Sequence, residues 1–173
     1  HVQRLFTDGP FFESNFTSAV ARLFDKPSIR FVYGRNRLLH DPEAAVISTS
    51  QAVIVVFRGT DRVGSAKTEF GYQWAEWITT DAVFPLMDPD VSNIPGRVHT
   101  GFWTGMRAQV PGTGREFREE LFQTIKQAMA SGSRPLWITG HSLGSAYAQL
   151  FAAYCHAHRS RVTTSGKAAF SAD

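Results

Sequence analysis

The five residues Gly140-His141-Ser142-Leu143-Gly144 constrain this chain more than any other stretch. A β-rich run, Pro135-Leu136-Trp137-Ile138-Thr139, leads into them, and a small-residue, apolar helical pattern from Ser145 to Tyr154 leads out. Strand, sharp turn and helix around G-x-S-x-G is the context that a nucleophile elbow requires. The turn is so tight that side chains at the two glycine positions would collide with the neighbouring strand and helix. Ser142 is then expected to stand above the end of its strand, with its hydroxyl presented outward.

The rest of the chain supplies a layered frame for that turn. Residues 11–24 read as an amphipathic helix with Phe12, Phe16, Val20 and Leu23 (or Phe24) near one face. Asp25-Lys26-Pro27 ends it. Residues 29–33 form a short strand candidate, and 44–48 and 52–58 read as two strands joined by Thr49-Ser50-Gln51. The continuous β-branched run Ala52-Val53-Ile54-Val55-Val56-Phe57 fits a central strand covered on both faces. A long irregular stretch, 59–95, carries Phe70, Tyr72, Trp74, Trp77 and Ile78. These aromatics suit a flap, a substrate-facing cover or simple packing on the sheet. Residues 98–103 form another short element. Residues 114–131 read as a helix whose stripe of Phe117, Leu121, Ile125 and Ala128 or Met129 is core, with Arg115, Glu116, Arg118, Glu119, Glu120 and Lys126 elsewhere.

Strands interrupted by helical patterns predict an α/β layer fold, a mostly parallel sheet flanked by helices. Ligands on such sheets bind beyond the carboxyl ends of the strands. Thr60 and Ser142 each lie just past the end of a strand, so both are expected at one site.

Composition narrows the function classes. The 173 residues suit one domain, able to bury roughly 70% of the surface of the unfolded chain. A net charge of +3 is mildly basic and favours an anionic surface. No cluster interleaves Lys or Arg with stacking aromatics, which argues against a nucleic-acid partner. The single cysteine, Cys155, rules out an intrachain disulfide and a cysteine zinc cluster, and its apolar helix predicts a buried, inert thiol. No apolar run approaches the length of a membrane-spanning helix. The chain begins at His1 with no visible signal peptide, as a processed secreted protein and an excised piece both would.

A serine hydroxyl is a weak nucleophile that needs a base, and the base needs an orienting carboxylate. The anion formed on attack needs preorganised donors. In an elbow one donor is the N–H of the following residue, here Leu143. Gly59-Thr60 is the natural source of the second: Gly59 permits close backbone approach, and Thr60 adds a hydroxyl.

Three separated segments, Val55-Val56-Phe57-Arg58-Gly59-Thr60, Val98-His99-Thr100-Gly101-Phe102 and Gly140-His141-Ser142-Leu143-Gly144, together resemble the ordered signatures of class 3, fungal-type lipases. Trp77-Ile78 before Asp81-Ala82-Val83-Phe84 resembles the segment after the lid in that family, and the likeness spans roughly residues 10–158. The resemblance implies an α/β-hydrolase domain that cleaves acylglycerols or similar acyl esters at a lipid–water interface. It implies Ser142 as nucleophile, Thr60 and Leu143 as oxyanion hole, and a lid over about 61–78 whose apolar surface comes from Phe70, Trp74 and Trp77. It calls for no metal and no cofactor. A short-chain or feruloyl-type esterase, and a lipid-binding protein without catalysis, are the alternatives.

The family's triad runs Ser, Asp, His, and the last two belong well beyond the elbow helix. The chain closes at Asp173, where the next strand has barely begun at Ala168-Ala169-Phe170. A single partial domain over 1–173, truncated after the elbow helix, is therefore expected. None of the six histidines is well placed to substitute, and His156 and His158, two apart on a helix, face different sides. Asp61 suits orienting the lid or the oxyanion loop, or a solvated loop position, and Asp81 and Asp173 have poor positions for a triad acid. A truncated chain, a nicked enzyme whose second chain carries Asp and His, and a protein that has lost catalysis all fit. A fragment of this kind would leave a sheet edge open and associate through it.

Overall fold

The first helix, α1 (Gly9–Leu23), ends where the sequence stops supporting it. Lys26 takes a positive φ of 45° ahead of Pro27, and a residue before proline is disfavoured in a helix. Val20 is buried, whereas Leu23 is 77% exposed and Phe24 is half-buried, so Phe24 rather than Leu23 completes the apolar face. The computed structural model describes residues 9–35, 42–59 and 85–159, and the backbone of two short strands at 163–164 and 167–168.

Four strands form the central sheet, in the order β1 (Ser28–Tyr33), β2 (Glu43–Ser48), β3 (Val53–Phe57) and β6 (Leu136–Gly140). The sheet is mixed, not mostly parallel as the sequence suggested. β1 pairs antiparallel with β2, and β2 antiparallel with β3; only β3 and β6 run parallel. Connection length is the cause. The turn between β2 and β3 is too short for a crossover, and Thr49 closes it: its hydroxyl oxygen accepts from the Gln51 and Ala52 N–H groups at 3.2 and 3.0 Å. Arg134 secures this turn by donating to the Thr49 carbonyl and to the Ala128 carbonyl at the end of the helix before β6. A parallel pair is possible only between β3 and β6, where helices intervene.

Those helices are α2 (Thr100–Met106) and α3 (Phe117–Ala128), and α4 (Leu143–Ala157) follows β6. The expected short element at 98–103 divides into β5 (Val98–His99), which pairs with β4 (Leu86–Met87), and α2. The helix expected over 114–131 is shorter at both ends, because Gly114 at φ 67° and an extended Glu116 occupy its first turn. β7 (Thr163–Thr164) and β8 (Lys167–Ala168) form a separate hairpin.

Burial on β3 follows the period of two that a pleated strand imposes. Val53, Val55 and Phe57 are buried, while Ile54 and Val56 are half-buried. The Phe57 ring meets Phe117 of α3 at 6.2 Å, and Tyr147 and Phe151 of α4 at 6.1 and 5.6 Å. Phe31, on the opposite face, meets Phe16 of α1 edge-on at 5.7 Å. The sheet thus lies between α1 and the helices that carry the main core. Cys155 is buried in that core, and burial pushes its thiol well above its ordinary range.

The polar face expected on α3 is partly internal. Arg118, only 7% exposed, donates to both carboxylate oxygens of Asp90 at 2.8 and 2.9 Å and stacks 4.8 Å from the Trp103 ring centre. The Trp103 indole N–H donates to the same carboxylate at 2.8 Å. Buried Glu120 accepts from Arg30 at 2.9 Å and from Arg115 at 2.8 Å. Arg118 and Glu120, which lie off the core stripe, bind the loop before β5, α2 and β1 to α3.

The Arg118 bonds hold the Asp90 carboxyl well below its ordinary value of 3.8, aided by the Trp103 N–H and nearby Arg107. A folded-state value below the unfolded one stabilises at pH above the ordinary value. Asp90 therefore contributes fully above about pH 4, and its contribution fades as acid protonates it. Asp90→Ala leaves the buried Arg118 guanidinium with Glu116 as its remaining carboxylate, at 2.8 Å, and takes the acceptor from the Trp103 indole N–H, and is expected to destabilise by about 2 kcal/mol at pH 7. The difference from the parent should shrink below pH 4 in urea titrations; a constant difference down to pH 2 would exclude this account.

Candidate active site

The parallel register brings two strand ends to one place. Phe57, the last residue of β3, pairs with Gly140, the last of β6. Beyond them come Arg58-Gly59 on one side and, on the other, the turn at His141-Ser142. A Cβ on Gly59 would stand 2.6 Å from the His141 carbonyl oxygen and 3.8 Å from the Ser142 Cβ. Gly59 and the Ser142 turn are therefore in direct contact, which the sequence could place only by topology.

Ser142 has φ of 54° and ψ of −124°. A non-glycine residue at such a φ is strained by roughly 1–3 kcal/mol and persists only where its surroundings over-determine it. Two close approaches do so here. A Cβ on Gly140 would lie 2.2 Å from the Gly144 carbonyl oxygen, and one on Gly144 would lie 2.5 Å from the Phe57 carbonyl oxygen. Only glycines allow β6, the turn and α4 to nest this tightly against the end of β3.

Ser142 is also the N-cap of α4, a position where serine commonly caps the helix with its own oxygen. It makes no side-chain cap bond, and the residue is exposed. The first turn is held by other groups: the Gly144 N–H donates to the His141 carbonyl at 2.9 Å, and the Ser145 N–H to the Ser142 carbonyl at 2.8 Å. The Ser145 hydroxyl adds a second bond to that carbonyl at 2.5 Å. Ser145 belongs to the expected helix pattern, and its spacing of three from Ser142 is the sequence signal of this second role. The Leu143 side chain is buried, while its N–H has no acceptor among the described residues. It sits at the positive end of α4.

The structure thus unites Ser142, Leu143 and Gly59. Thr60, and Phe70, Trp74 and Trp77 of the 61–78 segment, lie outside the described residues. Among the described residues no imidazole or carboxylate hydrogen-bonds the Ser142 hydroxyl. His99 packs its ring 4.5 Å from that of Phe102. The His156 ring meets Arg159 at 2.7 Å, while His158 bonds the Tyr154 carbonyl at 2.9 Å, so the two serve separate local contacts.

A strained, outward-facing serine between a parallel strand and a helix, beside an amide with no acceptor among the described residues, has the form of the nucleophile elbow of α/β hydrolases. A family model described as lipase (class 3) matches residues 54–171, and the chain belongs to this family of lipases and ester hydrolases. The match begins within β3 and takes in α2, α3, the Ser142 turn and α4. Searches of curated proteins and of solved structures found no match.

Proposed function

We propose that this chain is a serine hydrolase that cleaves carboxylic esters of lipids, triacylglycerols among them, through an acyl-enzyme on Ser142. The observation that carries the reading is the uncapped, strained and exposed Ser142 beside a Leu143 N–H that meets no acceptor among the described residues. In this reading the Ser142 hydroxyl attacks the ester carbonyl as a base takes its proton. The carbonyl oxygen becomes an oxyanion held by the Leu143 N–H and by Thr60, each donor contributing roughly 3–4 kcal/mol to the barrier reduction. Collapse expels the alcohol, and water then releases the acid from the serine. Phe70, Trp74 and Trp77 form the apolar underside of a lid over about 61–78 that opens at a lipid–water interface. The base and its orienting acid lie outside the described residues, in this reading on a second chain or on a C-terminal continuation.

A fluorophosphonate probe is expected to label Ser142 once the base is supplied, and labelling that survives Ser142→Ala rejects the assignment. The intact mass of the purified material, with a search for a second polypeptide, locates the base. Turnover of p-nitrophenyl esters should rise with acyl length and with emulsified substrate. A short-chain preference without interfacial activation selects an esterase instead, and lipid binding without turnover selects a non-catalytic binder.

A further inference from the structure

A chain of polar contacts crosses the sheet at the end nearest Ser142. Tyr33 of β1 stands opposite Glu43 of β2. The next residue along, Ala44, stands opposite Phe57, so Glu43 comes level with Arg58, one residue beyond β3. Glu43 holds Arg58 there with both its main chain and its side chain: the Arg58 N–H donates to the Glu43 carbonyl at 3.0 Å, and the guanidinium forms an ion pair with the Glu43 carboxylate. Both side chains are largely covered, 16% and 22% exposed, so solvent and salt screen the pair less than a surface one. The Tyr33 hydroxyl donates to Glu13 of α1, which anchors the same row to the helix on that face. Arg58 leads directly into Gly59, which lies against the His141 carbonyl and the Ser142 Cβ.

We infer that Glu43 is a positioning residue for oxyanion stabilisation: acting through Arg58, it extends the β2–β3 ladder one residue past the strand end and fixes Gly59 against the Ser142 turn. A strand terminus held by one backbone bond frays. A second tether at the same residue requires both bonds to open together before Gly59 can move. The guanidinium is charged at every working pH, so the carboxylate is the half of the pair that mutation can switch off cleanly. This inference rests on the hydrolase reading above.

Glu43→Ala and Glu43→Gln in the full chain, together with any second polypeptide that purifies with it, test the inference by amide hydrogen exchange and ester kinetics. Exchange at Arg58 and Gly59 is expected to quicken about tenfold in Glu43→Ala while α3 keeps its protection. The kcat on a short p-nitrophenyl ester is expected to fall about tenfold, with KM within about twofold. Unchanged exchange at these amides overturns the inference, as does an equal rise throughout α3. If Glu43→Ala does not fold, Glu43→Gln, which keeps the shape and loses the charge, decides by the same two measurements. If Ser142→Ala abolishes turnover and the Glu43 variants leave kcat unchanged, only this inference falls. If Ser142→Ala leaves turnover intact, the hydrolase reading falls, and the exchange data alone judge the tether.

Discussion

Ser142→Ala is expected to lower ester hydrolysis at least about ten-thousandfold, the scale seen when a triad nucleophile is removed, and to leave the fold intact. The two effects separate because the hydroxyl makes no cap bond and the residue is exposed, so its loss removes no packing. The unfolding midpoint should move by no more than about 2 °C. Ser142→Gly sharpens the test. Glycine adopts φ of 54° with ψ of −124° far more readily than serine, so this variant should be equally inactive yet more stable by about 1 kcal/mol, or roughly 3 °C. Initial rates on a p-nitrophenyl ester and thermal unfolding followed by circular dichroism measure both. Turnover that persists in the alanine variant, or a glycine variant less stable than the parent, would contradict the picture of a residue held under strain for its reactivity.

Gly144→Ala should damage both stability and turnover. The added methyl would stand 2.5 Å from the Phe57 carbonyl oxygen and 3.0 Å from that of Arg58. Neither oxygen belongs to a flexible side-chain tip, and Phe57 is pinned by its neighbours Ala44 and Gly140 in the sheet. The helix start must therefore move away from β3, at a cost of about 3 kcal/mol. A displacement of about 1 Å at the Ser142 turn should lower the rate on the order of a hundredfold beyond any loss of folded protein. Gly112→Ala is the control. Gly112 has φ of 78° with nothing near the added methyl, so the variant should lose only about 1 kcal/mol and keep full specific activity. Similar penalties in the two variants would mean that close approach is not what requires glycine at Gly144.

Local chemistry made much of this legible. The elbow glycines, the β-branched run of β3, the α3 stripe and the Lys26-Pro27 break each follow from rules that act over a few residues, and each element lies within a few positions of its expected place. What the sequence missed is relational. Pairing direction depended on how a short turn and an intervening run of helices divide the strands between antiparallel and parallel partners. The burial of Arg118 and Glu120 left no local signal, because their partners Asp90 and Arg30 are distant in sequence. The Glu43–Arg58 pair had no sequence signal, since it exists only in one register of β2 against β3.

By itself, the sequence determined that a serine would stand at a glycine-flanked bend between a strand and a helix, because tight turns exclude side chains whatever surrounds them. The tertiary structure alone decided what meets that serine. The parallel pairing of β3 with β6 brings Gly59 against the Ser142 turn, and the geometry at the start of α4 leaves the Leu143 N–H without an acceptor among the described residues. The reason is that a turn is fixed by steric limits among adjacent residues, whereas contact across a sheet depends on register, which only the packing of the whole core selects.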